Sequence, residues 1–458
     1  MSQAALEPGG PSLALGDVRV GVVLAAGRST RLRGLTGGRS KLLLRLGGLP
    51  LIERAVQTLL ASGIERVVVV VGHEGDAIAA AAQRIAPGRV EIAPAQDWEK
   101  GNAASLAAAE AAVRDEDLFV VVCSDHVFSA DALDGLIRAG GPAVLVDPAP
   151  ERAAWIEGTR VRVEGTRAVA FAKSLEDPVI DCGAFLLGPE VFSSVRQAAA
   201  RGDSSLAGAV TLLASAVPVK AVHLPEGSWW QDVDTPEDLR AARRMLRRSL
   251  SKGSDGPVSR YLNRPVSTRL SMALAPLRPS PNLLSFVAFV FGILAACLLA
   301  AERPLIGGIL VHLHSVLDGV DGESARLQLR TNSRGATLDN VLDRTVDAAI
   351  VAGLGWWVLE NSFHPRTVLL LGAIGIAWAT LAQAGKERST VLGLPAPTER
   401  LLGYLLGGRD GRLFLVTAWA VLGHPMVALM AFSVAYVASV AIRVFLVRRL
   451  GVESATIA

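Results

Sequence analysis

Four aspartates in the second half of the chain have the spacing of a metal site built from carboxylates. Asp318 and Asp321 are three residues apart. Asp339 and Asp343 are four apart, so each pair projects from one face of its helix. A short basic turn joins the two helices, which predicts that they are antiparallel and bring the four carboxylates together. Oxygen ligands select Mg²⁺, Mn²⁺ or Ca²⁺ over zinc, and two such cations suit phosphoryl-group chemistry because they polarise a diphosphate.

Small residues beside these acids leave room for a bulky ligand. Gly319 and Gly322 expose the helix backbone, Ala325 keeps the same face small, and Arg326 can reach a phosphate. The alternative is a set of helix-end acids neutralised by nearby arginines, which are Arg326, Arg330, Arg334 and Arg344. That alternative accounts for one or two acids, but not for four in register with glycines.

The first half carries a second candidate for phosphate chemistry. A small-residue turn leaves the first predicted strand, and its backbone N–H groups can hold phosphates; its residues are Leu24, Ala25, Ala26 and Gly27. Arg31 and Lys41 follow the turn and add positive charge. Asp125 follows another buried strand, at the carboxyl edge where such sheets bind ligands.

Buried strands alternate with amphipathic helices around that turn. The predicted strands Val18–Ala26, Arg66–Gly72 and Leu118–Cys123 are apolar on both faces, as central strands of a parallel sheet are. Leu51–Ser62 has the pattern of an amphipathic helix. This rhythm predicts an α/β domain, Rossmann-like and doubly wound, over residues 17–250.

The second half is predicted to be an all-α domain of six transmembrane helices. About 20 helical residues cross a bilayer, and three charge-free windows are that long: Pro279–Ala301, Thr367–Gly385 and Leu413–Ile442. A turn at residues 423–425 divides the last window in two, and its first helix is expected to begin near Arg409. The two remaining spans carry charges within an apolar pattern, and they are Pro304–Arg326 and Gly335–Leu359.

Basic residues predict how these helices are oriented. Residues 240–278 hold nine Arg and one Lys against one acid, and the segments after the second, fourth and sixth spans are also basic. We therefore expect a multi-pass protein of the cell (inner) membrane, with the α/β domain and the C-terminus cytoplasmic. Residues 257–278 are predicted to form an amphipathic helix on the anionic lipid bilayer surface, and a solvated basic linker is the alternative. The predicted divisions are residues 1–16, 17–250, 251–278, 279–450 and 451–458.

Composition excludes several classes of protein. Hydrophobic residues make up 51% of the 458 residues and charged residues 19%, whereas soluble domains carry about 25% charged residues. The chain is therefore neither disordered nor purely soluble. Its formal net charge is only +3, so we expect no nucleic acid to be held by bulk charge.

The carboxylate motif resembles the CDP-alcohol phosphotransferase family. Its pattern D-x2-D-G-x2-A-R-x8-G-x3-D-x3-D is matched at Asp318, Asp321, Gly322, Ala325, Arg326, Gly335, Asp339 and Asp343. The resemblance implies a membrane homodimer that transfers a phosphoalcohol from a CDP-alcohol to a second alcohol and releases CMP. It implies that Asp318, Asp321 and Asp339 bind the metals and that Asp343 is the general base. The cytidine diphosphate would be held by Gly322, Ala325 and Arg326.

The first half resembles the sugar-phosphate nucleotidyltransferases. Residues 24–32 and Lys41 match the signature LAAGxGxRL…PK, except that Ser29 replaces the usual glycine and Ser40 the usual proline. By this resemblance, Arg31 and Lys41 would neutralise pyrophosphate as the phosphate of an alcohol phosphate attacks the α-phosphorus of CTP.

The same resemblance assigns further residues. The pyrimidine base would be read by Gly101, Asn102 and Ser105. Mg²⁺, or Mn²⁺, would be held by Asp125 and by an acid of the W-x-D-x-x-T segment at Trp230–Thr235, which aligns best at Asp232 and leaves Asp234 in reserve. The sugar-phosphate acceptor would lie near Lys173 and Asp181.

The fusion of the two halves resembles one bifunctional family, in which an inositol-1-phosphate cytidylyltransferase precedes a di-myo-inositol phosphate phosphate synthase. The resemblance covers about residues 17–450 and includes the segment Asp255–Ser267. It implies that CTP and inositol 1-phosphate give CDP-inositol, whose phosphoinositol is then transferred to a second inositol 1-phosphate. A cationic acceptor pocket is then required, and its candidates are Lys386, Arg388 and Arg443, although arginines and lysines also snorkel at membrane interfaces.

Two other functions remain open at this point. One is a phospholipid synthase whose front domain activates another headgroup, because these motifs do not distinguish a lipid acceptor from a soluble one. The other is a membrane-anchored binding protein with an inactive front domain. The presence of Lys41, Asp125 and Asp232 argues against the second alternative.

Overall fold

The structure, a computed structural model, describes residues 18–28, 30–253, 255–330, 333–360, 365–377 and 408–456. The chain divides into two compact units, Met1–Leu246 and Arg247–Ala458.

The first unit is built around a nine-stranded sheet with the order β5-β4-β1-β6-β11-β8-β12-β10-β9. The strands are β1 Val20–Ala25, β2 Arg45–Leu46, β3 Leu49–Pro50, β4 Arg66–Val71, β5 Val90–Pro94, β6 Phe119–Cys123, β7 His126–Phe128, β8 Ala143–Asp147, β9 Arg160–Glu164, β10 Arg167–Ala172, β11 Ile180–Leu187, β12 Lys220–His223 and β13 Trp230–Asp232. Short pairs β2–β3 and β7–β13 lie outside this sheet.

Its helices are α1 Arg33–Thr36, α2 Leu51–Ala61, α3 Gly75–Ile85, α4 Asn102–Ala107, α5 Glu110–Val113, α6 Asp134–Ile137, α7 Arg152–Glu157, α8 Val191–Ala200, α9 Leu206–Ala216 and α10 Pro236–Arg248. Lys41–Leu43 and Trp98–Lys100 are single 3₁₀ turns.

The sheet is parallel where the sequence predicts it and mixed beyond that. β1 lies between β4 and β6 and is parallel to both, so all three predicted strands are confirmed to within two residues at each end. β11 is antiparallel to β6 and to β8. Strands β5, β4, β1 and β6 therefore form a continuous parallel part of the sheet, and the carboxyl ends of β1 and β6 meet at one edge.

Apolar cores on both faces of the sheet make the unit doubly wound. Along β1, Val22 and Leu24 contribute to one core, while Val23 and Ala25 contribute to the other, as the alternation of side chains along a strand requires. Helices α4, α8 and α9 cover the first core, and α2, α3 and α6 cover the second.

The second unit is helical wherever it is described with regular structure. Its helices are α11 Arg264–Leu274, α12 Pro281–Ala300, α13 Pro304–Leu327 and α14 Ser333–Glu360, followed by Pro365–Ala377, Gly408–Val421 and Pro425–Thr456. A π-helical turn, Ser259–Asn263, precedes α11. The predicted break at residues 423–425 and the predicted helix start near Arg409 are confirmed, and the predicted span Thr367–Gly385 lies partly outside the described residues.

Two of the described helices are long and apolar enough to cross a membrane, Pro281–Ala300 and Pro425–Leu446. α13 and α14 carry acidic residues along their length, and both pack along α12. A Cβ on Gly353 of α14 would collide with the backbone oxygen of Ala296 on α12. Glycine at position 353 allows α14 to pack tightly on α12. The acids of α13 and α14 are thus held between tightly packed helices.

Candidate functional sites

A cavity of about 980 Å³ opens at the carboxyl ends of β1 and β6 in the first unit. It is lined by the predicted residues Leu24, Ala26, Gly27, Arg31, Lys41, Gly101, Asn102, Ser105, Asp125, Lys173, Asp181, Asp232 and Asp234. Ala25 differs from the others, because its side chain is buried in the core beneath the turn. The structure therefore brings together nearly all the residues that the sequence predicts for the first site.

The turn that the sequence predicts to bind phosphate is fixed by hydrogen bonds to neighbouring strand ends. The carbonyl of Leu24 accepts from the Ser124 hydroxyl at 2.6 Å, and the carbonyl of Ala26 accepts from the His73 N–H at 3.1 Å. Gly27 is exposed, with open space where a Cβ would be. A ligand can therefore approach the backbone of this turn closely.

Lys41 lies among the acids of the cavity. Its ammonium is 2.9 Å from Asp125 Oδ2 and also contacts Asp234, and the residue is only 5% exposed. Burial alone would lower the pKa of Lys41, but the charges of Asp125 and Asp234 outweigh it and raise the pKa above its ordinary value. Arg31 contacts Asp234 from the solvent side and lies 3.1 Å from Glu157.

Three carboxylates form the candidate metal site of this unit. Oxygens of Asp125, Asp232 and Asp234 lie within 4.8 Å of one another. The antiparallel pairing of β13 with β7 sets Asp232 opposite His126, and thus beside Asp125. Asp232 Oδ1 is buried with no hydrogen-bond partner. Burial and the neighbouring acids raise the pKa of Asp232 to about 6 against the opposing effect of His126. Three carboxylates this close together fit a hard divalent cation.

His126 belongs to this site, although its sequence context gives no partner pattern and favours a structural role. Its Nδ1 lies 2.9 Å from Asp125 Oδ1, and its ring stacks on Trp230 with the centroids 5.5 Å apart. Trp230 in turn donates to Asp147 at 3.0 Å. Burial lowers the pKa of His126, but Asp232 and Asp125 reverse this and raise it to about 9. The one available signal was its place directly after Asp125.

In the second unit the predicted aspartates face one another across two helices. Asp318 on α13 interacts with Asp343 on α14, and Asp321 interacts with Asp339. Asp321 also accepts hydrogen bonds from the Ser285 hydroxyl and from the Gly322 N–H. The pairing follows from the opposite directions of the two helices, as the spacing predicts. Four carboxylates gathered in this way fit hard divalent cations.

Arg409 lies between these acids, although the sequence places it among the basic residues that follow the fourth span. Its Nη1 is 3.0 Å from Asp318 Oδ2 and 3.0 Å from Asp343 Oδ1. Its Nη2 is 3.0 Å from His314 Nε2, and His314 Nδ1 lies 2.8 Å from the Ala288 carbonyl oxygen. The cation that neutralises these acids is therefore an arginine far from them in the sequence, which the spacing of the motif could not indicate.

Asp347 is a further acid of this cluster, one helical turn beyond Asp343. Its side chain is fully buried and lies 3.1 Å from Arg409 Nε. It also lies 3.0 Å from Arg344 Nη1, and it accepts a 2.7 Å hydrogen bond from the Tyr436 hydroxyl. Arg344, a candidate partner of the four motif acids, thus pairs with this fifth one.

The nucleotide-binding and acceptor predictions have different outcomes. Gly322 and Arg326 are adjacent on α13, where a Cβ on Gly322 would lie 3.4 Å from Arg326 Nη1, and Ala325 lies on the same helix. Arg326 donates to the Leu250 carbonyl at 2.8 Å. Three predicted acceptor groups lie outside the described residues, namely Lys386, Arg388 and the side chain of Arg443.

Glu323 anchors the segment before α12, and the motif did not indicate this role. Its buried carboxylate accepts from Arg264 at 2.7 Å and from the hydroxyls of Ser267 and Ser271 at 2.6 Å each. Arg264 also pairs with Asp255 at 2.8 Å. These bonds hold α11 on the face of α13 that lies away from the aspartates.

Comparison with known proteins gives matches for both units. The MobA-like NTP transferase domain matches residues 21–251, and the CDP-alcohol phosphatidyltransferase family matches residues 279–407. The bifunctional IPC transferase and DIPP synthase of Rubrobacter xylanophilus is 38% identical over 423 residues, which cover 89% of this chain and 92% of that protein. The protein of the same name from Aquifex aeolicus is 34% identical over 410 residues, with the same coverage. The solved inositol-1-phosphate CTP transferase from T. maritima is 24% identical and covers 50% of this chain and 96% of that one, with a TM-score of 0.47.

Proposed function

The chain belongs to the family of bifunctional IPC transferases and DIPP synthases, and from that premise we propose that it catalyses two consecutive reactions. The first unit transfers CMP from CTP to inositol 1-phosphate and releases pyrophosphate, which gives CDP-inositol. The second transfers phosphoinositol from CDP-inositol to a second inositol 1-phosphate and releases CMP, which gives di-myo-inositol phosphate phosphate.

In the first reaction, the phosphate oxygen of inositol 1-phosphate attacks the α-phosphorus of CTP, and the bond to pyrophosphate breaks. The exposed turn at Gly27 would hold the triphosphate through backbone N–H groups. Lys41 and Arg31 would neutralise the leaving pyrophosphate. Asp125, Asp232 and Asp234 would hold Mg²⁺ or Mn²⁺, which would supply charge at the α-phosphate. Lys173 and Asp181 line the same cavity and are our candidates for binding the acceptor.

In the second reaction, a hydroxyl of the acceptor attacks the β-phosphorus of CDP-inositol, and the bond to CMP breaks. Asp343 would take the hydroxyl proton as general base, the role that the resemblance of the motif implies. Asp318, Asp321 and Asp339 would hold divalent cations, which would supply charge at the diphosphate. Gly322, Ala325 and Arg326 would bind the cytidine diphosphate.

The surface of α11 supports a place for the second unit in the membrane. Tyr261, Val266 and Leu277 are 64%, 53% and 76% exposed in and around this helix, whereas its buried face contains serines. Apolar residues outside and polar residues inside favour contact with lipid over contact with water. We propose a multi-pass inner-membrane protein with both termini in the cytoplasm and, by the resemblance of the motif, a homodimer formed by this domain.

The observation that carries the proposal is that each unit gathers its own carboxylate cluster beside residues suited to a nucleotide. The decisive experiment is to supply the purified, detergent-solubilised chain with CTP, inositol 1-phosphate and Mg²⁺ and to identify the products by mass spectrometry. We expect CDP-inositol followed by di-myo-inositol phosphate phosphate. If no CDP-inositol forms, while another alcohol phosphate is activated by CTP and transferred to a lipid acceptor, the chain is instead a phospholipid synthase.

A further inference from the structure

Arg409 occupies a central position in the carboxylate cluster of the second unit. One guanidinium nitrogen lies 3.0 Å from both Asp318 and Asp343, which belong to different helices. The side chain is 12% exposed, and an arginine does not lose its proton in proteins. A permanent positive charge is therefore fixed beside two of the four aspartates of the motif.

Groups outside the motif hold this arginine in place. The fully buried Asp347 lies 3.1 Å from Arg409 Nε and is itself bound by Tyr436 and Arg344. His314 lies 3.0 Å from Arg409 Nη2. Arg409 would therefore stay beside the cluster even if its contact with Asp318 were lost.

We propose that Arg409 is the internal counter-ion of the cluster and that its guanidinium withdraws from Asp318 when a divalent cation binds there, while Asp347 retains it. This inference rests on the metal dependence proposed for the second reaction. Buried carboxylates that lack a counter-charge are costly. Arg409 lowers that cost in the metal-free protein, and as a consequence it weakens the binding of divalent cations.

Two substitutions should change the affinity for cations in opposite directions. Arg409→Gln removes a positive charge, so we expect Mn²⁺ to bind about tenfold more tightly. Asp347→Asn removes a negative charge and frees Arg409 to pair more fully with Asp318 and Asp343, so we expect about tenfold weaker binding. A purely structural role for Arg409 would not make Mn²⁺ bind more tightly when Arg409 is replaced.

The experiment is a Mn²⁺ titration of the detergent-solubilised full-length chain, in which the EPR signal reports free Mn²⁺. Every protein carries Asp125→Ala, so that the cluster of the first unit contributes little. Arg412→Gln is the matched control, because Arg412 lies on the same helix with its guanidinium 3.9 Å from the centre of the Tyr436 ring. Its affinity should stay within about threefold of the parent value.

Arg409→Lys tests the proposal further if Arg409→Gln fails to fold. A lysine keeps the charge but cannot reach three acids at once. We therefore expect Arg409→Lys to bind Mn²⁺ more tightly than the parent. An affinity between those of the parent and Asp347→Asn would contradict the proposal. Equal affinities in all variants, with a parent that binds Mn²⁺, would overturn the counter-ion role alone. A parent that binds no Mn²⁺ would overturn the proposed metal dependence and this inference with it.

Discussion

Asp343 and Asp321 belong to one carboxylate cluster but have different neighbours. Asp343 is paired with Arg409 at 3.0 Å, and it interacts with Asp318. Asp321 accepts from Ser285 and from the Gly322 N–H, at the end of the cluster where Asp339 lies. The neighbours of the two aspartates thus differ, and the two roles proposed for them can be separated by substitution.

Asp343→Asn should retain metal-dependent binding of CDP-inositol within about tenfold, or about 1.4 kcal/mol, because the proposed ligands remain. Turnover should fall by about 10²–10⁴, the usual contribution of a positioned general base. Asp321→Asn should lose nucleotide binding as well as turnover. Calorimetry with CDP-inositol and Mg²⁺ measures nucleotide binding by both variants. Normal binding by Asp321→Asn together with lost binding by Asp343→Asn would mean that the roles are reversed.

Gly183 tests the importance of His126 in the first site. It has a φ of +70°, and an added Cβ would lie 2.6 Å from His126 Cδ2. Gly183→Ala should therefore displace the ring from Asp125 and lower CDP-inositol synthesis at least about tenfold. It should also cost about 1–2 kcal/mol in stability from backbone strain.

Gly165→Ala is the matched control for that prediction. Its φ is +63°, but a Cβ there has open space. In thermal unfolding Gly165→Ala should share the loss of stability that comes from backbone strain, while it keeps its synthetic rate. Equal loss of activity in both would attribute the effect to strain rather than to His126.

Some site residues could be predicted from the sequence because their spacing is local. Asp318 and Asp321, like Asp339 and Asp343, are one helical turn apart, and periodicity alone puts each pair on one face. Arg409 is 91 residues from Asp318, and Tyr436 is 89 residues from Asp347. These contacts depend on how separate helices pack, which no pattern within one helix encodes.

Elements were predicted well where one physical rule determines them. Apolar β-branched runs gave β1, β4 and β6, and the glycine and proline at residues 423–425 gave a helix break. The antiparallel insertion of β11 between β6 and β8 was not predicted, because its mostly apolar sequence suits either direction. The pairing of β13 with β7, which completes the first site, was not predicted either, because each of these strands has only three residues.

Helix α11 should depend on the single buried carboxylate of Glu323. Glu323→Gln leaves Arg264 with only part of its charge compensation and weakens two hydroxyl hydrogen bonds. We expect the second unit to lose about 3 kcal/mol in stability. Arg269→Gln, an exposed change on the same helix, should have little effect. Thermal unfolding in detergent measures both, and equal melting temperatures would refute the anchoring role.

The orientation of α12 can be tested at its two ends. The arginine bias predicts that the residues before it are cytoplasmic, so the exposed Ala301 at its end should face the outside. In a chain without Cys123, Cys182 and Cys297, Ala301→Cys should react with an impermeant thiol reagent in intact cells. Ser251→Cys should react only after the cells are permeabilised. The reverse pattern would invert the proposed topology.

The whole molecule combines two carboxylate clusters in two compact units. The first would produce CDP-inositol, and the second would consume it. Each cluster has its own fixed cation, Lys41 in the first unit and Arg409 in the second. If each site is complete by itself, a substitution in one site should remove one reaction and leave the other.

Asp125→Ala tests this independence. Asp125 contacts Lys41 and His126 and is a proposed ligand of the first site, so its loss should reduce the formation of CDP-inositol from CTP by at least about 10³-fold. Transfer of phosphoinositol from supplied CDP-inositol to inositol 1-phosphate should stay within about twofold, because that reaction needs only the second cluster.

Asp343→Asn should show the opposite pattern, accumulating CDP-inositol from CTP without transferring its phosphoinositol group. Both reactions are followed by ³¹P NMR on the same purified protein, together with its melting temperature. If folded Asp125→Ala protein loses both reactions, the two sites do not act independently, and one unit must require the other for catalysis.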